Sequence, residues 1–94
     1  SILHRALEQV TGADPAAMHE RYVRLGDTGS LVEELFAGRP ARGLTLCEAE
    51  DWLALLARTS GTNARRAVVH DMLASLGPLE GKYLVRLLSG ELRI

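Results

Sequence analysis

The sequence predicts an all-α protein, a compact bundle of five or six short helices. Apolar residues recur every three or four positions along almost the whole chain, which is the spacing of helices with one buried face. No stretch alternates apolar and polar residues long enough to form a strand of a sheet. The 94 residues, 47% of them apolar, suffice for one hydrophobic core but not for two. We therefore predict a single helical domain over residues 1–94.

The first two helices have recognisable ends. Helix one is predicted to end at Thr11-Gly12, and Asp14-Pro15 has the form of an N-cap followed by proline at the first position of helix two. Helix two is predicted to end at Gly26. The apolar stripes are Ile2, Leu3, Ala6, Leu7 and Val10 in helix one and Met18, Tyr22 and Leu25 in helix two.

A third, short helix precedes the only linker-like stretch of the sequence. Asp27-Thr28-Gly29-Ser30 predicts a turn before this helix, and Gly38 predicts its end. The segment Arg39-Pro40-Ala41-Arg42-Gly43 lacks helical periodicity, so we predict an internal linker near residues 37–44. The apolar face of helix three is Leu31, Val32, Leu35 and Phe36.

Helix four begins with a capping box formed by Thr45 and Glu48 and continues to Thr59-Ser60-Gly61. Cys47 lies in this pattern where a small apolar residue is expected, so we predict that it is buried. The acidic residues around Cys47 disfavour the thiolate that a cysteine nucleophile needs. The predicted buried face is Leu46, Ala49, Trp52, Leu53 and Leu56.

Helices five and six adjoin at Gly77-Pro78. Thr62 is predicted to cap helix five, and Gly77 to end it as a C′ residue followed by a helix breaker. The apolar positions are Ala64, Val68, Met72 and Leu76 in helix five and Leu79, Tyr83, Leu84, Leu87 and Leu88 in helix six. From these stripes we predict mutual burial of Trp52, Leu56, Val68, Met72, Tyr83 and Leu87.

The last part of the chain is polar and basic. Lys82 and Arg86 lie four residues apart and are predicted to point together into solvent or toward a partner. Ser89-Gly90 is predicted to end helix six and to leave Glu91-Leu92-Arg93-Ile94 as an extended tail. Residues 65–94 hold five basic and three acidic residues, whereas the whole chain has a formal net charge of −1.

The sequence carries no recognisable catalytic or metal-binding constellation. Its three histidines, His4, His19 and His70, fall on three different predicted helices and have no partner at metal-ligand spacing. A glycine-rich phosphate loop, a nucleophile elbow and a dinucleotide fingerprint are all missing. The sequence also lacks an apolar run of transmembrane length and the pattern of a signal peptide, so we expect a cytoplasmic protein with no membrane partner.

Two polar turns remain as candidate ligand contacts, Thr59-Ser60-Gly61-Thr62 and Ser89-Gly90-Glu91-Leu92-Arg93. Small hydroxyl residues before a helix leave backbone N–H groups facing outward, which suits a phosphate oxygen. Ordinary helix capping accounts for the same residue types. The residues by themselves leave both interpretations open.

The C-terminal segment 80–94 resembles the segment that closes the conserved core of the N-terminal DNA-binding domain of ATP-dependent DNA ligases. The shared pattern is a glutamate, a small residue, a basic residue and an aromatic one, then an arginine and a Leu-Arg-Ile end. Residues 24–29, Arg-Leu-Gly-Asp-Thr-Gly, and residues 44–62 agree with the same family in order and spacing. Gly81 stands where alanine is more usual, and Glu91 stands where many relatives have a basic or neutral residue.

The resemblance implies a piece of a larger all-helical DNA-binding domain, with further helices before Ser1 and after Ile94. Such domains straddle the minor groove of nicked duplex DNA and clasp it together with an adenylation domain and an OB-fold domain. The parent enzyme would use ATP and magnesium in DNA replication, repair and recombination at the nucleoid, whereas this chain would hold no cofactor and would not catalyse ligation alone. The implied DNA-contacting residues and the basic residues expected near them are Ser60, Gly61, Thr62, Arg65, Lys82, Arg86, Gly90, Glu91, Leu92 and Arg93.

Two other functions remain possible from the residues. A helix-turn-helix regulator built on helices five and six would need polar base-reading side chains at the start of helix six, where Leu79-Glu80-Gly81 offers few. A helical protein–protein interaction module would need an exposed apolar patch.

Overall fold

Six α-helices make up most of the part of the chain that the computed structural model describes, residues 2–92 with the side chains of 2–90. They are Ile2–Thr11 (α1), Pro15–Leu25 (α2), Thr28–Leu35 (α3), Leu46–Ala57 (α4), Thr62–Ala74 (α5) and Pro78–Leu87 (α6). A π-helical turn, Leu88–Leu92, continues α6. No strand occurs within residues 2–92. The prediction of an all-α bundle of five or six helices is confirmed.

The start and end of α2 form as predicted. A carboxylate oxygen of Asp14 accepts a hydrogen bond from the backbone N–H of Ala17 at 3.1 Å, and Pro15 is the first helical residue. Gly26 has a φ of 87°, a conformation that favours glycine, and its N–H donates to the carbonyl of Tyr22 at 2.9 Å. These local bonds set where the helix begins and ends.

Helix α3 begins earlier than predicted, because Asp27 acts as its N-cap. The Asp27 carboxylate accepts from the backbone N–H of Ser30 at 3.0 Å and from the Ser30 hydroxyl at 2.7 Å. The predicted turn over residues 27–30 is therefore wrong, since residues 28–30 form the first turn of the helix. The same residue types favour both a turn and a helix cap, so composition did not separate the two.

The capping box at the start of α4 is confirmed. The Thr45 hydroxyl oxygen accepts from the Glu48 N–H at 3.1 Å, and a Glu48 carboxylate oxygen accepts from the Thr45 N–H at 3.2 Å. Arg42 donates to the other carboxylate oxygen of Glu48 at 2.7 Å, and its guanidinium carbon lies 5.2 Å from the centroid of the Trp52 ring. These contacts hold the segment before α4 against the helix.

The junction between α5 and α6 differs from the prediction at both glycines. Gly61, with a φ of 92°, is the N-cap of α5, and no side chain caps this helix, so the predicted cap by Thr62 is wrong. Gly77 has a φ of −84° and is the N-cap of α6, not the C′ residue of α5. Its role is spatial, because a Cβ atom on Gly77 would lie 2.9 Å from the carbonyl oxygen of Pro40.

The core lies where α3 packs on α6 and α1 packs on α5. Helix α6 contributes Leu84, Val85 and Leu88, and Gly81 lets the helix approach α3 closely. The largest fully buried side chains are Phe36, Leu3, Leu7, Leu31, Leu56, Leu73, Leu76, Leu84, Leu88, Val32, Val69 and Val85. Because α1 and α5 are far apart in the sequence, as are α3 and α6, the core depends on contacts between distant segments.

Only part of the predicted mutual burial occurs. Leu56 and Met72 are buried, and Trp52, Val68 and Leu87 are partly covered. Tyr83 is 45% exposed, so its predicted burial is wrong. Helix α6 turns Leu84, Val85 and Leu88 toward the core, which leaves the neighbouring Tyr83 at the edge.

Three further predictions of burial are wrong. Leu46 is 62% exposed and Leu79 is 70% exposed, and Cys47 is also exposed. Leu46 and Cys47 lie in the first turn of α4, whereas the buried residues of this helix, Ala49 and Leu56, lie further along it. Helical periodicity shows which residues share a face, but not whether another element covers it.

Candidate functional site

Three arginines cluster around the turn that joins α4 to α5. Arg58 is the C-cap of α4, and Arg65 and Arg66 lie in the first two turns of α5. None of the three lies within 4.0 Å of a carboxylate oxygen in the described residues. The Arg66 guanidinium donates to the side-chain oxygen of Asn63 at 3.3 Å, and the buried Nε of Arg65 has no hydrogen-bond partner. The described residues thus supply no carboxylate partner for these positive charges.

Basic side chains elsewhere in residues 2–92 mostly pair with acids of neighbouring segments. The pairs are Arg21 and Arg24 with Glu34 at 3.7 and 2.9 Å, Arg42 with Glu48 at 2.7 Å, Lys82 with Glu33 at 3.1 Å and Arg86 with Asp27 at 4.0 Å. Such surface pairs contribute little to stability, but each balances a charge locally. In the described residues, Arg5, Arg39 and the three arginines around the α4–α5 turn have no carboxylate within 4.0 Å.

The backbone at this turn also suits an anion. Ser60, Gly61 and Thr62 are exposed, and no side chain accepts a hydrogen bond from the first N–H groups of α5. Uncapped N–H groups and the positive end of the helix dipole stabilise a nearby phosphate. The predicted phosphate contact at 60–62 thus lies between Arg58 at the end of α4 and the first two turns of α5, which carry Arg65 and Arg66.

The basic residues of α6 pair with acids of α3 and of its N-cap. The Lys82 ammonium group donates to Glu33 of α3, and only 27% of its side chain is exposed. The Arg86 side chain passes over Gly29 toward Asp27 and is 58% exposed. The predicted shared orientation of Lys82 and Arg86 is thus toward α3, and Arg86 is the more accessible of the two.

The C-terminal turn is helical as far as it is described. The backbone of Leu88–Leu92 forms a π-helical turn, so the predictions that Ser89-Gly90 ends the helix and that 91–92 are extended are wrong. Gly90 is exposed and has open space around it. The side chains of Glu91 and Leu92, and Arg93 with Ile94, lie outside the described residues.

The two predicted contact segments lie toward the same end of the molecule. Near the start of α6, Glu80 binds the backbone just before α4, so the two helices begin side by side. Ala57 and Leu87, at their C-terminal ends, line one groove. The helices therefore run in the same direction. Residues 60–62 lie just beyond the end of α4, and Gly90 lies just beyond Leu87, the last residue of α6.

Sequence reasoning missed Arg58 and Arg66 as members of the site. A signal was present, because no acidic residue occurs between Asp51 and Asp71, whereas Arg58, Arg65 and Arg66 all fall in that interval. The overall net charge of −1 obscured this local excess. The distribution of acids along the chain is thus more informative here than the net charge.

No other kind of site is evident in the described residues. No three His, Cys, Asp or Glu side chains among them are grouped so that they could hold a metal ion. His4 contacts the Thr28 hydroxyl at 3.4 Å and the Tyr22 ring at 5.0 Å, and His70 contacts Asp71 at 3.3 Å. None of the helices in residues 2–92 has the length and apolar character needed to cross a bilayer.

Comparison with known proteins gives a consistent result. The family model described as "DNA ligase N terminus" matches residues 1–94. The chain is 36% identical to a probable DNA ligase of Koribacter versatilis, over 100% of the chain and 17% of that protein. It is 32% identical to a DNA ligase of Thermoplasma volcanium over 99% of the chain and 17% of the relative, and 31% identical to one of Methanospirillum hungatei over 100% and 19%.

The chain thus spans less than a fifth of the length of each of these relatives. No solved structure matches it.

Proposed function

The chain belongs to the DNA ligase N-terminal family, and on this premise we propose that it is a non-catalytic, sequence-independent module that binds duplex DNA for a ligase. In this proposal it grips the minor-groove side of nicked DNA and positions the nick for sealing by other parts of the same protein. Those parts would include an adenylation domain and an OB-fold domain, with ATP and magnesium used there. The role would lie in replication, repair or recombination at the nucleoid.

The observation that carries the proposal is the unpaired arginine cluster beside the uncapped start of α5. Arg58, Arg65 and Arg66 lack carboxylate partners in the described residues. The first backbone N–H groups of α5, which begins at Thr62, lack a side-chain acceptor. Arginine and helix N-termini are the usual contacts of phosphate oxygens, and such contacts carry no sequence information. A surface of this kind supports affinity for the DNA backbone without selection among bases.

The helix-turn-helix alternative finds little support in α6. Leu79 is exposed but apolar, Glu80 is occupied by backbone N–H groups, and Gly81 is buried against α3. A recognition helix needs polar side chains at its start that can reach base edges in the major groove. The start of α6 instead serves packing within the molecule.

The arginine cluster is tested by titrating duplex DNA of two unrelated sequences at low and rising salt. We expect a dissociation constant in roughly the micromolar to sub-millimolar range for both sequences. Arg58→Gln and Arg66→Gln should each weaken binding on both sequences alike and lower the salt slope by about 0.9, because one phosphate contact is lost. Arg5→Gln, on the exposed surface of α1, is the matched control and should change little. Equal slopes for all four proteins would sink the proposed surface.

The C-terminal turn is tested separately by two variants. Arg93→Glu should lower affinity on every sequence and reduce the salt slope by about one or more, and Glu91→Lys should have the opposite effect. If both variants bind as the unmodified chain does at low salt, this turn has no DNA contact, and the proposed site contracts to the α4–α5 turn.

A further inference from the structure

The Arg86 side chain crosses the start of α3 in a notch that Gly29 leaves open. A Cβ atom on Gly29 would lie 2.9 Å from the Arg86 Nε and 3.2 Å from the Arg86 Cγ. Gly29 does not adopt a positive φ, so its backbone conformation is open to other residues. What glycine supplies at this position is therefore space for the Arg86 side chain.

Asp27 is held in a fixed position beside this notch. Its carboxylate accepts hydrogen bonds from the Ser30 hydroxyl at 2.7 Å and from the Ser30 N–H at 3.0 Å. These two bonds lower the pKa of Asp27 below its usual value, so the carboxylate stays charged at neutral pH. The Asp27 Oδ1, which accepts the Ser30 N–H, also lies 4.0 Å from the Arg86 Nη2. Arg86 thus meets a fixed negative charge at the end of its path over Gly29.

The Arg86 guanidinium nevertheless remains available to a ligand. At 4.0 Å its contact with Asp27 is longer than a hydrogen bond, so the carboxylate attracts the guanidinium without occupying its N–H donors. The Arg86 side chain is 58% exposed. Arg86 and Ser89, which lies in the turn Leu88–Leu92, line one open cleft together with residues 26–29. An oriented but accessible arginine therefore stands directly beside the turn that is predicted to contact DNA.

We propose that Asp27 is a positioning residue, which together with Gly29 orients Arg86 so that its guanidinium binds a phosphate of duplex DNA beside the turn Leu88–Leu92. The inference rests on the proposed DNA-binding function. An arginine loses much of its side-chain rotation when it binds, and orientation beforehand reduces that loss. For one side chain the gain amounts to roughly two- to tenfold in affinity.

Charge alone predicts the opposite role for Asp27. A carboxylate beside a phosphate contact repels the DNA, so its removal should tighten binding if Asp27 had no effect on Arg86. The substitution Asp27→Asn separates the two roles, because asparagine is as good an N-cap as aspartate and keeps the start of α3 intact. The sign of the change in affinity thus distinguishes orientation of Arg86 from simple repulsion.

The direct test is titration of the full-length ligase with nicked duplex DNA at low and rising salt. Asp27→Asn should raise the dissociation constant roughly two- to tenfold. Glu20→Gln, which removes a carboxylate at an exposed position of α2, is the matched control and should bind as tightly as the unmodified protein or slightly more tightly. Unchanged or tighter binding by Asp27→Asn would overturn the inference.

The same titrations separate this inference from the proposed function on which it rests. If Arg58→Gln and Arg66→Gln weaken binding but Asp27→Asn does not, the proposed function stands and the role of Asp27 is refuted. If none of the three variants weakens binding, both are refuted.

A double-mutant cycle measures whether Asp27 acts through Arg86. Arg86→Gln alone should weaken binding and lower the salt slope by about 0.9, because one phosphate contact is lost. In that background Asp27→Asn should weaken binding no further, since the residue that it orients is gone. Losses of equal size in the two backgrounds would show that Asp27 acts independently of Arg86 and would contradict the proposal.

Gly29→Ala tests the notch by a route that leaves both charges in place. Its Cβ would displace the Arg86 side chain, which can turn into solvent, so DNA binding should weaken. The unfolding midpoint of the same protein should stay unchanged or rise, because alanine favours a helix over glycine. A Gly29→Ala protein that binds DNA as tightly as the unmodified one would count against the positioning of Arg86.

Discussion

Glu80 joins the segment before α4 to the start of α6. Its two carboxylate oxygens accept hydrogen bonds from the backbone N–H groups of Arg42 at 2.7 Å, Gly43 at 2.8 Å, Leu44 at 2.6 Å and Gly77 at 3.0 Å. One side chain therefore satisfies four backbone donors in two segments that are more than thirty residues apart. The glutamate of the ligase-like pattern thus has a structural role in this chain.

This arrangement predicts a sensitivity to acid. Partial burial raises the pKa of Glu80, but the four N–H donors outweigh it and lower the pKa to about 2, from 4.5 for a free glutamate. A depressed folded-state pKa gives stabilisation that is complete above about pH 4.5 and is lost as the pH falls toward 2. Hydrogen bonds from Arg42 and Thr45 likewise lower the pKa of Glu48 to about 2, so part of the acid sensitivity will have that second origin.

Glu80→Gln should cost about 1–3 kcal/mol of unfolding free energy at pH 7, because an amide cannot accept all four donors. Its unfolding free energy should also fall less than that of the unmodified chain between pH 5 and about pH 2. Urea unfolding at several pH values measures both effects. Glu20→Gln, at an exposed position on α2, serves as the control and should follow the unmodified chain. A Glu80→Gln profile that coincides with the control would contradict this role.

Gly81 permits the close approach of α6 to α3. A Cβ atom at this position would lie 2.7 Å from the Val32 Cγ1 and 2.8 Å from the Phe36 Cδ2, and both side chains are fully buried. Alanine would gain up to about 1 kcal/mol in helix propensity, but overpacking of a closed core costs about 1–3 kcal/mol. The steric cost decides the sign, since neither neighbour can move into free space.

We therefore expect Gly81→Ala to be destabilising although it improves the helix. Thermal or urea unfolding will show this as a lower midpoint than that of the unmodified chain. Gly90→Ala is the matched control, since a Cβ there meets no atom within 4 Å. A stabilised Gly81→Ala protein would mean that α3 and α6 separate more easily than their contacts indicate.

At the level of elements, two threonines of similar sequence context have different roles. Thr45 accepts the Glu48 N–H and completes the capping box, whereas Thr62 begins α5 without capping it. Thr45→Ala should therefore cost about 0.5–2 kcal/mol of stability, and Thr62→Ala should be close to neutral. Denaturant midpoints of the two variants, compared with the unmodified chain, measure the difference. Equal losses would show that Thr62 also bonds to the helix start.

The helices themselves could be predicted from the sequence, but some of their faces could not. The caps at Asp14 and Thr45 depend on local residues and formed as expected. Whether Tyr83 and Leu46 are buried depends on which distant helix packs beside them, and both are exposed. Helix α4 carries apolar residues on several sides. Local sequence therefore fixes where these helices begin, whereas tertiary packing decides what they bury.

At the level of the whole molecule, the candidate site was predictable only in part. Residues 60–62 were predicted as phosphate contacts from their turn chemistry and from the family resemblance, and this stays a prediction. Whether acids pair with Lys82 and Arg86 could not be read from the sequence, because Glu33 in α3 lies 49 residues before Lys82 and Asp27, the N-cap of α3, lies still further from Arg86. The partners of a charge are set by the fold, and they determine which charges remain for a ligand.

The whole chain should also lack adenylation activity. Its only lysine is Lys82, which is followed by Tyr83-Leu84 and whose ammonium group is bound to Glu33 at 3.1 Å. A nucleophilic lysine must be open to the nucleotide, whereas only 27% of the Lys82 side chain is exposed. Incubation of the chain with labelled ATP and magnesium should leave it unlabelled. A covalent AMP adduct on Lys82 would refute this expectation.

The pairing of α1 with α5 and of α3 with α6 has a consequence for how the chain folds. Most helical proteins fold quickly because neighbouring helices pack first, but here each main partner is synthesised long after the helix that it covers. Short helices that lack tertiary partners are only marginally formed in water. During synthesis, α1 to α4 should therefore remain loosely structured until the helices that cover them have been made. The cooperative folding step can occur only once α6 has emerged.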